Sequence, residues 1–259
     1  DELDAAKAVV ASRPPAGEPQ KAPSGLFAGS EGTAPGQISR PRGITVDGEG
    51  NIYIADTGNS RIQKFDADGK FVLQFGSAGD GEGTFRELNG VAVDAAGDVW
   101  AVDAGRHVLM RFDPSGAFLR EWAWSFYGPR DLTFAPNGQL YIVDQGRTRI
   151  VRFDPRAERF TEWGSGGGGD GQFNEPTGLG AGEKLIAVAD KGNGRVQLFD
   201  PDGRFVRQWK IDAWAGYAWN RPDVAIGPGG DVIYVTSGIS SEVIAFDLNG
   251  ARLDAIGPD

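Results

Sequence analysis

The sequence repeats one four-strand pattern along most of its length. Its clearest copy is residues 41–75, PRGITVDGEGNIYIADTGNSRIQKFDADGKFVLQF. Alternating apolar residues predict short strands over 43–47, 51–55, 61–65 and 70–75, joined by turns rich in Gly, Asp and Asn. Because such a meander has two apolar faces, one unit needs further copies of itself to bury them.

Those copies are recognised by a Phe-Asp pair at the end of each third strand. Successive pairs are 47, 41, 46 and 47 residues apart. The pairs are Phe65-Asp66, Phe112-Asp113, Phe153-Asp154, Phe199-Asp200 and Phe246-Asp247. A period of about 40–50 residues with four strands per unit is typical of β-propeller blades. A β-sandwich is the alternative, but sandwich strands do not repeat their turn chemistry in register.

These units resemble a known family. The segments GNIYIADTGNSRIQKFD (residues 50–66) and GRVQLFDPDGRF (residues 194–205) look like NHL repeats, and residues 106–109 (RHVL) occupy the place of the Asn-His-Leu run. The resemblance covers five units from Arg40 to about Gly257 and weakens in the fifth. It implies a β-propeller, usually of six blades, that serves as a sensor or interaction domain. Some members of the family bind RNA, and one branch is a metal-dependent lyase.

The predicted organisation is an N-terminal lead followed by an all-β, NHL-type propeller. Residues 1–24 form the lead, which ends in a Pro-rich linker, and residues 25–259 form the propeller, with 25–30 expected as a strand that closes the ring. The blades are expected at 41–76, 89–122, 129–163, 176–209 and 221–257. Five blades are visible in the sequence, and a six-bladed ring is the alternative. A first residue other than Met suggests a piece of a larger protein. We expect this piece to be a monomeric domain.

Composition narrows the range of partners. The formal net charge of −10 argues against a nucleic-acid partner, because phosphate binding depends on clustered Lys and Arg. The sequence contains no apolar run of about 18 residues, so we expect no membrane insertion of this segment.

The absence of cysteine fits the cytoplasm and a bacterial extracytoplasmic compartment equally well. The lead resembles the junction before NHL tails of bacterial membrane glycosyltransferase-like proteins, which favours the extracytoplasmic location.

We find no motif for catalysis, metal binding or a cofactor. The single His107 cannot supply the several histidines on which the lyase branch relies. The Phe-Asp turns lack the carboxylate spacing of a calcium loop and suit Asx turns instead. Glycines 166–169 are not followed by the Lys-Ser/Thr of a phosphate-binding loop.

One carboxylate recurs at the end of each second strand, followed five residues later by an arginine in three of the units. The residues are Asp56, Asp103, Asp144 and Asp190, with Arg61, Arg149 and Arg195. An aspartate in this position can accept loop N–H groups and pair with the arginine. We therefore expect these residues to hold the loops rather than to bind a ligand.

The candidate ligand-binding residues lie in the connections that lead into the first strand of each blade. Polar residues in this position are Arg42, Asn89, Arg130 and Thr177. Four tryptophans follow the repeat and are expected in the core: Trp100, Trp122, Trp163 and Trp209. The aromatic residues that depart from the repeat lie in two connections and are Trp124, Tyr127, Trp214, Tyr217 and Trp219. Trp and Tyr dominate binding hot spots, so these connections are candidates for a ligand platform.

The functional hypothesis is a non-enzymatic domain that binds a glycan or a protein segment on this loop face. The candidate site comprises Arg42, Asn89, Trp124, Tyr127, Arg130, Trp214, Tyr217 and Trp219. A pure protein–protein scaffold is the first alternative and predicts tryptophans packed into the core. A metal-dependent lyase or hydrolase of the propeller type is the second.

Overall fold

The structure, a computed structural model, describes residues 30–214, 221–237 and 241–256. They form five four-stranded antiparallel sheets, each with its strands side by side in chain order. The predicted all-β fold, a β-propeller with five four-stranded blades, is confirmed. The lead 1–24 and nearly all of the expected closing strand 25–30 lie outside the described residues.

The strands follow the predicted repeat. Blade 1 contains β1–β4, at Ile44–Val46, Ile52–Asp56, Arg61–Phe65 and Phe71–Phe75. Blade 2 contains β5–β8, at Leu88–Val93, Val99–Asp103, Val108–Phe112 and Phe118–Ala123. Blade 3 contains β9–β12, at Pro129–Phe134, Leu140–Asp144, Arg149–Asp154 and Arg159–Trp163. A short parallel pair, β13 and β14, joins Ser165–Gly166 to Gln172–Phe173. Blade 4 contains β15–β18, at Pro176–Ala181, Ile186–Asp190, Arg195–Phe199 and Phe205–Lys210. Blade 5 contains β19–β22, at Val224–Ile226, Val232–Ser237, Glu242–Asp247 and Arg252–Ile256.

The described residues divide between two compact units, with β1–β9 in the first and β10–β22 in the second. The helical elements described are 3-10 turns of three residues at Thr57–Asn59, Gln145–Arg147, Lys191–Asn193 and Asp212–Trp214. Within the part of the chain that the structure describes, no helix has the length and apolarity needed to cross a membrane.

Each blade has a leading face, toward the blade that follows it in the chain, and a trailing face, toward the blade that precedes it. In the first unit, Ala55 and Ile62 on the leading face of blade 1 pack with Val91 and Met110 on the trailing face of blade 2. All four side chains are buried. The alternation of strand residues therefore produces the core between blades, because a side-chain period of two places one apolar set on each face.

The second unit repeats this packing twice. Val143 and Ile150 of blade 3 pack with Leu179 of blade 4. In the next junction, residues of blade 4 pack with residues of blade 5, namely Ala189 and Val196 with Val224 and Val235. Trp100 is fully buried, whereas Trp163 and Trp209 are half-buried and pack at the edges of these clusters.

The Phe-Asp pairs form turns, as predicted. Asp66 accepts the backbone N–H groups of Asp68 and Lys70, and Asp247 accepts those of Asn249 and Ala251. In blade 2, hydrogen bonds from the Ser115 hydroxyl and nearby backbone N–H groups hold the pKa of Asp113 below its usual value. These carboxylates are engaged by their own turns, as an Asx turn requires.

The glycine of this turn packs against the aromatic residue that ends the preceding blade. A Cβ atom at Gly203 would lie 2.5 Å from the Trp163 ring, and one at Gly250 would lie 2.6 Å from Trp209. Gly203 has φ +84°, and Gly138, in another turn of the same unit, has φ +81° with nothing near its would-be Cβ. The two positions therefore share the left-handed backbone but differ in available space.

We expect Gly203→Ala to lower the free energy of unfolding by about 1–3 kcal/mol more than Gly138→Ala, because only the first methyl group overlaps a packed ring. Both alanines bear the cost of the left-handed conformation. Urea denaturation of the two variants measures the difference. Equal losses would show that Trp163 moves aside without cost.

Candidate functional site

The recurring aspartates at the ends of the second strands hold the loops, as predicted. The Asp–Arg pairs are buried, with Nε to Oδ2 distances of 2.8 Å for Arg61–Asp56, 2.9 Å for Arg149–Asp144 and 2.7 Å for Arg195–Asp190. Asp56 also accepts the Ser39 N–H, and Asp190 accepts the Asn174 N–H, each at 2.7 Å. The same carboxylate therefore fixes the end of its strand and the connection that precedes its blade.

Asp103 performs this role with backbone donors. Its carboxylate accepts N–H groups of Arg86 at 2.7 Å and Glu87 at 3.0 Å from the preceding connection. It also accepts those of Gly105 at 2.8 Å and Arg106 at 3.0 Å from its own loop. These four hydrogen bonds join the two loops through one carboxylate. Asp103 is fully buried.

Two predicted site residues, Arg42 and Arg130, meet at one carboxylate. Both donate through Nη1 to Oε1 of Glu87, and the Arg130 distance is 3.4 Å. The exposed fractions of the side chains are 29% for Arg42, 25% for Arg130 and 41% for Glu87. Two guanidinium groups are thus held at the surface by one shared carboxylate, which leaves this trio with a net positive charge.

Asn89, also predicted as a site residue, is only 1% exposed. Its Oδ1 accepts a hydrogen bond from Arg42, and its Nδ2 donates to the Pro129 carbonyl at 3.2 Å. The equivalent residue in blade 4, Thr177, likewise donates to the Pro222 carbonyl at 2.6 Å. Asn89 therefore positions Arg42 and ties blade 2 to the start of β9, rather than presenting a surface of its own.

Tyr127 is the most exposed of the described candidate aromatics, at 60%. Its ring stacks on His107, with centroids 5.4 Å apart and planes at 29°. The His107 Nδ1 accepts the Gly128 N–H at 3.2 Å, so that the neutral imidazole carries its proton on Nε2.

In the described ranges, no three His, Cys, Asp or Glu side chains converge as metal ligands would.

The segment from Tyr127 to Arg130 links the arginines to this aromatic pair. His107 holds it at Gly128, and Asn89 holds it at Pro129. We refer to Arg42, Glu87, His107, Tyr127 and Arg130 together as the loop surface. Trp124 lies beside it, half-buried and edge-on to the buried Phe126, with ring centroids 5.6 Å apart.

Trp214 occupies a different environment. It is 3% exposed, packs with Ile211 and Val224 in the core between blades 4 and 5, and donates its Nε1–H to the Thr236 carbonyl at 3.0 Å. This burial supports a packing role, which the scaffold alternative predicts. The other two predicted residues of that connection, Tyr217 and Trp219, lie outside the described residues.

Sequence reasoning missed Glu87 and the part played by His107. Glu87 stands three residues before Gly90, as Arg40 stands three before Gly43 and Glu175 three before Gly178. A charged residue repeated at that position was a usable signal. The stacking of His107 on Tyr127 joins two separate loops, and spacing along the chain does not reveal it.

Comparisons with known proteins identify one of the repeat units as an NHL repeat. The model of the NHL repeat family matches residues 39–65. The B-box type zinc finger protein ncl-1 of Caenorhabditis elegans is 48% identical over 46 residues, which is 18% of this chain and 5% of that protein. The E3 ubiquitin-protein ligase TRIM71 of Bos taurus is 51% identical over 47 residues, again 18% of this chain and 5% of the relative. This chain therefore matches a small fraction of the length of these relatives.

Two solved structures extend the likeness to most of the chain at the level of the fold. Virginiamycin B lyase from Staphylococcus aureus, in a catalytically inactive H270A form with quinupristin, has a TM-score of 0.62 and 17% identity, over 84% of this chain and 70% of that one. A chain of a nidogen/laminin complex has a TM-score of 0.69 and 19% identity, over 84% and 80%. The described residues thus form a β-propeller with five four-stranded blades, and residues 39–65 of this chain match the NHL repeat.

Proposed function

We propose that this chain is a non-catalytic interaction domain that binds an extended, acidic protein segment on its loop surface. The observation that carries the proposal is that Arg42 and Arg130 share Glu87. Arg130 follows Tyr127, whose ring is exposed, by three residues.

The arginines supply the charge recognition. A guanidinium group binds carboxylates through charge-assisted hydrogen bonds, which are roughly twice as strong as neutral ones. Glu87 satisfies Arg42 and Arg130 with a single Oε1 atom and is 41% exposed, so a carboxylate from a partner can share or replace it. In a chain with a net charge of −10, such a local positive group selects where an acidic segment binds.

Tyr127 supplies apolar contact. An exposed tyrosine ring offers a large, rigid surface with only two side-chain torsions to fix, which suits a binding hot spot. Stacking on His107 holds the ring in place before a partner arrives, which reduces the entropy lost on binding.

A protein segment fits these residues better than a glycan. Trp214, the one tryptophan described in the second aromatic connection, is buried and hydrogen-bonded. Among the described candidate residues, the loop surface offers one exposed ring and two arginines, a set that matches carboxylate and apolar side chains of a peptide. The NHL-propeller fold, which commonly serves protein interaction, supports the same choice.

A peptide-binding assay tests the proposal. A library of extended, fluorescently labelled peptides is screened against the 259-residue chain, and the best binders are resynthesised with Gln and Asn in place of Glu and Asp. We expect affinity to fall with this neutralisation and with added salt. Arg42→Gln or Arg130→Gln should each weaken binding about tenfold, and both together about 100-fold, because each removes a charge-assisted contact.

Arg204→Gln is the matched control, since it removes an exposed, ion-paired guanidinium from a turn of blade 4. It should leave affinity unchanged. Acidic peptides that bind equally well to the double variant would contradict the proposal. Binding to neutral oligosaccharides with no response to acidic peptides would identify the chain as a glycan-binding module instead.

A further inference from the structure

The charged groups at the centre of the loop surface are not matched one to one, unlike those of the ion pair beside them. Arg86, the residue before Glu87, pairs with Asp80, so that one cation meets one anion. Glu87 instead accepts hydrogen bonds from both Arg42 and Arg130. The side chains of these three residues are partly exposed. When the Glu87 side chain turns aside, two guanidinium groups are left to face one anion.

Blade 4 shows that the repeat does not require this second cation. Glu175 occupies the position of Glu87, three residues before a glycine of the first strand, and pairs with Lys191 at 2.7 Å. The residue that follows Glu175 by two is Thr177, a neutral side chain that donates to the Pro222 carbonyl at 2.6 Å. Two arginines at one glutamate are thus a feature of the loop surface that goes beyond what the blade itself needs.

Arg42 keeps its position without Glu87. Its Nη1 also donates to Oδ1 of Asn89, which is only 1% exposed. Asn89 is held in turn by the hydrogen bond from its Nδ2 to the Pro129 carbonyl at 3.2 Å. Because Pro129 precedes Arg130, one buried side chain fixes both the guanidinium group of Arg42 and the backbone next to Arg130. Groups that are positioned in advance lose less entropy when a ligand binds.

The Glu87 side chain can turn away while its backbone stays fixed. The Glu87 N–H donates to Asp103 at 3.0 Å, and the Leu88 carbonyl accepts the Thr57 hydroxyl at 2.7 Å. The Glu87 side chain is 41% exposed, more than either arginine. Exposed ion pairs contribute little to stability, so exchanging this carboxylate for another anion costs little. Glu87 thus occupies an anion site that a partner can take over.

A phosphoryl group suits this site better than a carboxylate does. A carboxylate from a partner carries the same charge as Glu87, so it exchanges one anion for an equal one. A phosphorylated serine or threonine carries a charge of about −1.5 to −2 near neutral pH and has three strong acceptor oxygens. It balances both guanidinium groups and offers each of them its own oxygen, whereas both now donate to Oε1 of Glu87.

We propose that the acidic group recognised by Arg42 and Arg130 is the phosphoryl group of a phosphorylated serine or threonine, which displaces the Glu87 carboxylate. This inference rests on the proposed function, because it names the acidic group within the same protein segment. Glu87 acts as a built-in competitor, which weakens the binding of segments that carry only Glu or Asp. Phosphorylation of the partner therefore strengthens its binding to the loop surface.

Three matched peptide libraries test this inference. They are short, fluorescently labelled and uncharged except at the central position, which carries phosphoserine, glutamate or serine. We expect the 259-residue chain to bind the phosphoserine library about tenfold more tightly than the glutamate library, because the phosphoryl group has the greater charge and more acceptor oxygens. Arg42→Gln or Arg130→Gln should reduce this preference to about twofold or less, because one guanidinium group no longer takes part.

Glu87→Gln distinguishes a competitor from a residue that is needed for binding. Glutamine keeps an acceptor oxygen for both arginines but removes the competing charge, so affinity for the phosphoserine library should rise about threefold or more. Glu175→Gln is the matched control. It removes an ion-paired carboxylate that is 59% exposed from the equivalent position in blade 4, and should leave affinity unchanged.

Equal affinity for the phosphoserine and glutamate libraries, both above that for serine, would overturn this inference and leave the acidic-segment function in place. Equal affinity for all three libraries would contradict both. A loss of affinity on Glu87→Gln would also overturn the inference, because Glu87 would then be needed for binding. So would inorganic phosphate that displaces the phosphoserine library at the concentration at which the peptides bind, since free phosphate would then be the ligand.

Discussion

Replacing Asp190 by alanine is expected to lower the free energy of unfolding by about 3–5 kcal/mol, because it leaves a buried guanidinium group without its counter-charge. Asp190 is fully buried and Arg195 is 3% exposed. Besides Arg195, the Asn193 and Gln197 side chains donate to the same Oδ2 atom, at 2.8 and 3.2 Å. Water cannot easily replace a carboxylate that satisfies three side-chain donors in a closed site.

Asp202→Ala is the matched control within the same unit. Asp202 also pairs with an arginine, Arg152, at 2.8 Å, but its side chain is 48% exposed. We expect a loss below about 1 kcal/mol, as is usual for surface pairs. Chemical denaturation with circular dichroism measures both variants. Similar small losses would mean that Arg195 reaches solvent when Asp190 is absent, and that the buried pair is not a main support of blade 4.

The fold could be predicted because its determinants are local. Alternating apolar residues specify which side of each strand is buried, and Asp and Gly specify the turns. Asp190 and Arg195 show how far this reasoning extends, since their constant spacing of five residues predicted a pair that the structure confirms at 2.7 Å. Each of these inferences depends on residues close together in the chain.

The candidate site was less predictable because its contacts join separate loops. Arg42 and Arg130 meet through Glu87, at sequence separations of 45 and 43 residues, and no pattern within one repeat unit contains that contact. The role of Trp214 was hard to predict for another reason, because one sequence pattern fits two explanations. An aromatic residue out of register with the repeat is equally consistent with a ligand platform and with a locally rebuilt core, and its burial favours the core.

The buried Asp103 contacts two of the loops that form the loop surface. Asp103 holds the backbone of Glu87 from one side and the loop that carries His107 from the other. Glu87 orients the two arginines, and His107 orients Tyr127. A fully buried carboxylate therefore sets the geometry of exposed side chains, so a change at Asp103 should affect both stability and binding.

We expect Asp103→Ala to lower the free energy of unfolding by about 3–5 kcal/mol, because four backbone N–H groups lose a buried acceptor and each such group costs roughly 1–3 kcal/mol before partial rescue by water. Asp103→Asn should cost less. An amide oxygen in the place of Oδ1 keeps the contacts to Glu87, Gly105 and Arg106, while the NH₂ group faces the Arg86 N–H. The order of stability is then wild type, Asn, Ala, as read from urea midpoints.

Asp113 provides the comparison, since its carboxylate also accepts backbone N–H groups, those of Ser115 and Ala117, but does so in a surface turn. Asp113→Ala should cause a much smaller loss, because water reaches its donors. The Asn variant at Asp103, if it stays folded, should also bind acidic peptides more weakly than wild type, because its NH₂ group faces the Arg86 N–H, another donor, and displaces the connection that carries Glu87. An Asp103→Ala variant as stable as the Asp113→Ala variant would show that the two loops are held by their own packing, and that Asp103 does not organise the loop surface.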